Sequence, residues 1–154
     1  IEITNPGKPL INTDRMIDLP PRSRNESLAS LMRRMRLCEE EGSGLDKVIN
    51  EVEFFQLPPP LFLESNNSTQ VILYGPRKFA DMTPDERVRA CYQHAVLKFL
   101  SGSRMKNATL SERLGIKEGN KAQTSNVISQ AQQRKLIKPA DVQHPRSGYI
   151  PFWA

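Results

Sequence analysis

The stretch from Thr109 to Trp153 constrains this chain more than any other. It reads T-L-S-E-R-L-G-I, K-E-G-N-K, A-Q-T-S-N-V-I-S-Q-A-Q-Q-R-K-L-I, then a turn and Y-I-P-F-W. That order predicts a short helix, a turn, a longer helix with one polar face, and a hairpin. Thr109 is placed to cap the first helix, with Glu112 completing a capping box. Leu110 and Leu114 lie four apart and so share a face. Gly115 ends the helix, and Ile116 folds back onto it. The second helix, about 122–135, turns Val127, Ile128 and Ala131 inward, with Leu136 and Ile137 just beyond. No acidic residue occurs from Lys121 to Ala140. A helix facing a polyanion needs amides and hydroxyls for base edges, cations for phosphates and no carboxylate. The pattern is that of a DNA-binding helix-turn-helix with a basic wing.

The charge distribution points the same way. The 154 residues carry net +5. Residues 1–83 carry 10 basic and 12 acidic side chains, residues 84–100 carry 3 and 2, and residues 101–154 carry 9 and 3. The positive field therefore belongs to the last third, as expected when double-stranded DNA is the partner. Cys38 and Cys91 stand far apart with no Cys or His at ligand spacing, which excludes familiar zinc patterns and suits a reducing, cytoplasmic setting. No secretory signal and no membrane-spanning apolar run is legible. The chain begins at Ile1 rather than at methionine and reads as part of a longer protein.

Upstream, Ile1 and Ile3 alternate into an Asn-Pro-Gly turn, which predicts a short strand. Residues 8–24 read as a long loop. Asn25 caps a helix carrying Leu28, Leu31, Met32 and Met35 at helical spacing, with Arg33, Arg34 and Arg36 opposite. Glu39 to Glu41 and a Gly42-Ser43-Gly44 turn lead into a further helix, with Val48, Ile49, Val52 and Phe55 inward. The prolines from Pro58 to Pro60 end it, and two strands follow around Ser65-Asn66-Asn67-Ser68. Thr83-Pro84-Asp85-Glu86 opens a helix whose stripe is Val88, Cys91, Tyr92, Ala95, Val96, Phe99 and Leu100. His94 reads as packing, and Trp153 as a plug on the core. The fold class is α+β: a segment over 1–80, then a three-helix winged unit over 83–154.

The first half resembles the C-terminal part of the RecG-related proteins, bacterial regulators with a divergent histidine-kinase/gyrase-type ATPase fold behind a Schlafen/AlbA-type domain. The resemblance rests on I-E-I-T-N-P-G at 1–7, R-N-E-S-L-A-S-L-M-R-R-M-R-L at 24–37 and E-E-E-G-S-G-L-D-K-V-I at 39–49. It implies that Asn5 and Gly7 stand at the first nucleotide-contacting glycine motif, and Gly42 and Gly44 at the second. Asn5-Pro6 replaces the aspartate of that motif, and the helix bearing the magnesium-binding asparagine would precede Ile1. No ATPase or helicase activity is expected here, no G-x-x-x-x-G-K-[ST] loop occurs, and ATP is expected only of a full-length protein. The second half resembles winged-helix regulators, which implies a recognition helix in the major groove.

The expected reading is a non-enzymatic DNA-binding module of a transcriptional regulator with no cofactor. Base and phosphate contacts fall to Lys121, Gln123, Thr124, Ser125, Gln130 and Arg134. Backbone contacts fall to Arg104, Lys106, Lys138 and the wing-tip Arg146. One module binds weakly, so a homodimer on two half-sites is expected. The alternatives are a winged helix serving only protein interaction or dimerisation, and a nucleotide-binding part of an ATPase. No Ser/His/Asp or Cys/His set stands at usable spacing.

Overall fold

The computed structural model describes residues 1–37, 44–144 and 147–154, without the side chain of Glu118. The chain is mixed α and β. Strand β1 (Glu2–Pro6) is followed by helices α1 (Glu26–Arg34) and α2 (Gly44–Phe54), then strands β2 (Leu61–Ser65) and β3 (Ser68–Ile72). Helices α3 (Pro84–Leu100), α4 (Asn107–Arg113) and α5 (Lys121–Gln133) come next, and strands β4 (Ile137–Pro139) and β5 (Tyr149–Pro151) close the chain. No helix among the described residues is long and apolar enough to cross a membrane.

β1, β3 and β2 form one antiparallel sheet in that order, with β3 central. The β2–β3 turn puts Asn66 and Asn67 at φ +47° and +59°, the left-handed pair that a two-residue hairpin requires and asparagine tolerates. Ile3, Val71 and Phe62 share one register row. Phe62 is buried and Val71 packs on the core, which fixes the inward face of the sheet.

α3 is the hub. Its start is as the sequence predicts: Thr83 Oγ1 accepts from the Glu86 amide at 3.2 Å, and Glu86 Oε2 accepts from the Thr83 amide at 2.8 Å. The expectation of a single apolar stripe is corrected. From Val88 to Val96 the helix is buried almost all round, with only Arg89 partly exposed. A helix so enclosed must be covered from several sides. The first segment covers one of them: Tyr92 Oη donates to the Asp14 carbonyl at 2.6 Å, and Gln93 Nε2 to the Pro60 carbonyl at 2.9 Å. Phe99 and Leu100 lie past the enclosed part and are exposed.

α4, α5 and the β4–β5 hairpin pack on the other side of α3. Met105 pairs with Tyr149 through two backbone bonds of 3.1 and 2.8 Å, which ties the α3–α4 connection to the hairpin. One buried cluster runs from Ile17, Ile49 and Phe62 through Val88 and Ala95 to Leu110, Ile128 and Ile137. The two segments therefore share a core. Trp153 packs against it as expected, donating Nε1–H to Tyr92 Oη at 3.2 Å beneath the Arg15 guanidinium.

Four local expectations change. α4 begins two residues before Thr109, with Lys106 as its N-cap residue. Thr109 Oγ1 instead reaches back from the first turn, accepting from the Lys106 amide and donating to its carbonyl at 3.1 and 3.0 Å. Residues 8–24 are not wholly loop: Thr13–Arg15 form a 3₁₀ turn, and Ile17 enters the core. Phe55 is 63% exposed, because the helix ends at Phe54 and the ring turns out against it, edge-on at 5.0 Å. α1 forms with the Asn25 cap accepting from the Leu28 amide at 2.9 Å, but buries none of its residues.

Candidate nucleic-acid interface

α4 and α5 owe their angle to a tight connection. Gly115 sits at φ +63° after α4, the left-handed position that glycine occupies without penalty. Its amide bonds to the Glu112 carbonyl at 3.1 Å, and the Ile116 amide to the Ser111 carbonyl at 2.9 Å, the paired closure of a Schellman end. Ile116 folds back onto the core, as the sequence implied.

Val127, Ile128 and Ala131 of α5 are buried, again as expected. Thr124 joins them. It lies one turn before Val127 and Ile128, is completely buried, and its hydroxyl bonds Ser111 Oγ at 2.8 Å. Its assignment as a DNA contact is therefore corrected: it joins α4 to α5. The 100° step of a helix then places Ala122, Asn126, Ser129 and Gln133 opposite the buried row. Ala122, Asn126, Ser129 and Gln133 are all exposed. Sequence reasoning passed over Asn126 and Ser129, although the inward assignment of Val127 and Ile128 already contained them by difference.

Of the other expected contacts, Gln123 and Gln130 line one flank of this face, and Ser125 the other. Ser125 Oγ accepts from Asn107 Nδ2 at 2.9 Å, so the start of α4 is bound to the start of α5. Lys121 is exposed at the α5 N-terminus, and Lys106 at the head of α4. Arg134 stands at the C-terminal end, where Nη1 pairs with Asp85 at 2.7 Å, both side chains well exposed. An exposed pair of this kind contributes little to stability and exchanges readily for another anion. Lys138 is exposed on β4 of the hairpin, and Arg104 is exposed next to Met105, which pairs with that hairpin. There Asp141 faces His144 Nδ1 at 2.9 Å, which with the Gln143 amide holds its carboxyl below the usual range. Arg146 lies outside the described residues.

The structure also brings together groups that are distant in sequence. Glu53 Oε2 meets His94 Nδ1 at 2.8 Å, and His94 Nε2 meets Thr109 Oγ1 at 3.1 Å. The order carboxylate, imidazole, hydroxyl was not legible from spacing, since the three come from α2, α3 and α4. The Thr109 hydroxyl is already engaged with the Lys106 backbone. The line thus reads as a joint between α2, α3 and α4. Arg113 completes it: Nε faces Glu53 Oε1 at 3.5 Å, and Nη2 donates to the Leu57 carbonyl at 2.7 Å. Burial pulls the Arg113 pKa down, and Glu53 opposes that fall.

In the first segment, Asn5 and Gly7 line a cleft of about 380 Å³ that Leu45, beside Gly44 at the start of α2, also lines. The Gly7 carbonyl accepts from Thr69 Oγ1 at 2.9 Å, and Arg24 crosses the cleft to donate to the Lys8 carbonyl. Gly42 lies outside the described residues.

Residues 1–73 match a family model described as "Putative ATP-dependent DNA helicase recG C-terminal". The first segment is thus similar to that family from β1 through β3, and the match stops before α3. No curated protein and no solved structure matches the chain.

Proposed function

We propose that residues 83–154 form a winged helix-turn-helix that binds double-stranded DNA, as the DNA-binding module of a transcriptional regulator. In this reading α4 and α5 are the helix pair, α5 enters the major groove, and β4 and β5 are the wing with Met105 as its third strand. The reading rests on one observation: the outward face of α5 carries Ala122, Asn126, Ser129 and Gln133 and no carboxylate. Small residues let base edges come close to the helix, amides offer paired donors and acceptors, and exposed cations stand at the α5 N-terminus (Lys121), the head of α4 (Lys106) and β4 (Lys138). In this reading the RecG-like segment is a scaffold in this chain. Nucleotide binding at Asn5 and Gly7 belongs to a longer protein, and a homodimer supplies the second half-site.

The test is Ser129→Glu. The site is exposed, and glutamate suits a helix at least as well as serine, so the fold is retained. A carboxylate then stands at the centre of the proposed groove contact. The chain should select duplexes from a random library at low salt, and the variant should lose at least about tenfold in affinity. Failure of the parent chain to bind duplex DNA above background refutes the proposal, as does undiminished binding by the variant.

A further inference from the structure

The groove between α5 and the β3–α3 connection holds a cleft of about 680 Å³. Its α5 wall is Gln123, Asn126 and Gln130, so it continues the outward face already described. Its other walls are the α4–α5 turn and residues 77–80, which come after the family-matched segment and before the helical unit.

The charges on this cleft are unequally satisfied. Arg77 is neutralised by Glu86 at 2.6 Å, and Arg113 faces Glu53. No carboxylate offsets Arg87 among the described residues; its guanidinium bonds to the Phe79 and Ala80 carbonyls, at 3.2 and 3.0 Å, over the Phe79 ring. Lys78 and Lys117 make no side-chain hydrogen bond or ion pair among the described residues. Three uncompensated cations thus face a groove that no carboxylate lines among those residues. Asp85, the other acid in the first turn of α3, is paired with Arg134.

Resting on the proposed DNA-binding function, we infer that this cleft carries the sugar–phosphate backbone of the same duplex that α5 reads. Lys78, Arg87 and Lys117 form the phosphate clamp. Lys117 comes from the α4–α5 turn and Lys78 from the connection, so two separate segments of the lining supply the clamp. The footprint therefore reaches beyond the helix pair onto the connection that joins it to the RecG-like segment. Phosphate contacts position rather than specify, so the clamp sets register and affinity, and the α5 amides keep sequence readout.

The experiment is the salt dependence of duplex binding by the full chain, Lys78→Gln/Lys117→Gln and a Lys8→Gln control. Lys8 is paired with Glu64 on the first segment and lies away from the cleft. Each phosphate neutralised contributes about 0.9 to the slope of log K against log salt. The double variant should therefore flatten the slope by about 1.8 and weaken binding about 30-fold at 0.15 M salt, with the control unchanged. If the parent binds DNA and the double variant keeps its slope, the clamp is refuted while the helix reading stands. If the parent does not bind, both fall. A calorimetric titration with inorganic pyrophosphate covers the other source of phosphate. Binding that the double variant abolishes, with the DNA slope unchanged, assigns the cleft to a small phosphate and overturns the inference.

Discussion

Replacing Glu53 by glutamine tests whether the joint between α2, α3 and α4 is a true ion pair. The amide oxygen of a glutamine there would still accept a hydrogen bond from His94, so the change removes chiefly the charge facing Arg113. That guanidinium side chain is 3% exposed, and Glu53 16%. At 3.5 Å and an effective dielectric near 20, the gross attraction is about 5 kcal/mol. Desolvation offsets much of it, and neither Glu53 Oε1 nor Arg113 Nε has a hydrogen-bond partner. Breaking a buried pair costs roughly 3–5 kcal/mol, because the surviving charge is stranded. The lower end applies here, since Glu53 is partly open to water. Glu53→Gln and Arg113→Met should each cost about 3 kcal/mol in urea unfolding followed by helical circular dichroism. The double variant should cost about 4 rather than 6, since neither charge is then stranded. Additivity within about 0.5 kcal/mol would show that the two groups do not interact and would sink the argument.

Thr124→Val should cost about 1 kcal/mol by removing its bond to Ser111 Oγ, which keeps Asn107 Oδ1 at 3.5 Å, yet leave DNA affinity unchanged at temperatures where the variant is folded; a loss of affinity in the folded variant would restore Thr124 as a contact. Gly148→Ala should destabilise by at least about 2 kcal/mol in chemical denaturation, since the residue sits at φ +111° and its new Cβ would stand 2.8 Å from the Met105 carbonyl oxygen. Cys91 should resist a thiol reagent in the native chain at neutral pH and react at least about a hundredfold faster in urea, because burial pushes its thiol well above the ordinary range; mass-spectrometric mapping of labelled Cys91 from the native protein is the contrary result.

What was legible in the sequence was what depends on neighbours along the chain. The Asn25 cap, the Thr83–Glu86 box, the Asn66-Asn67 hairpin and the Gly115 stop each need only a few consecutive residues, and each formed where expected. What was not legible was how the two segments meet. Nothing in the periodicity of α3 says that Gln93 is buried, because its covering group is Pro60, far upstream; His94 reads as packing, but its cover, Glu53, is equally remote in the chain. A polar residue outside an apolar stripe looks solvated until its partner is known. The same holds for residues 8–24, where four prolines and mixed charges across residues 6–24 hid Ile17 from any pattern.

The α5 face shows the limit most sharply. Thr124 and Ser125 are adjacent hydroxyl residues of similar chemistry, and composition treats them alike. Their difference is a 100° step: Thr124 is buried against Ser111 of α4, while Ser125 is exposed and meets Asn107 at the head of α4. Listing polar residues on a helix therefore overcounts its outward face unless the apolar row is used as an angular reference. With Val127, Ile128 and Ala131 as that reference, Thr124 belongs inside, and Asn126 and Ser129 take the centre. The same reference moves Gln123 and Gln130 to the flank that opens onto the Lys78–Lys117 cleft. Specificity and salt dependence should then separate along α5: substitutions at Asn126 and Ser129 should change which duplex is preferred, and those across the cleft should change how steeply salt releases any duplex.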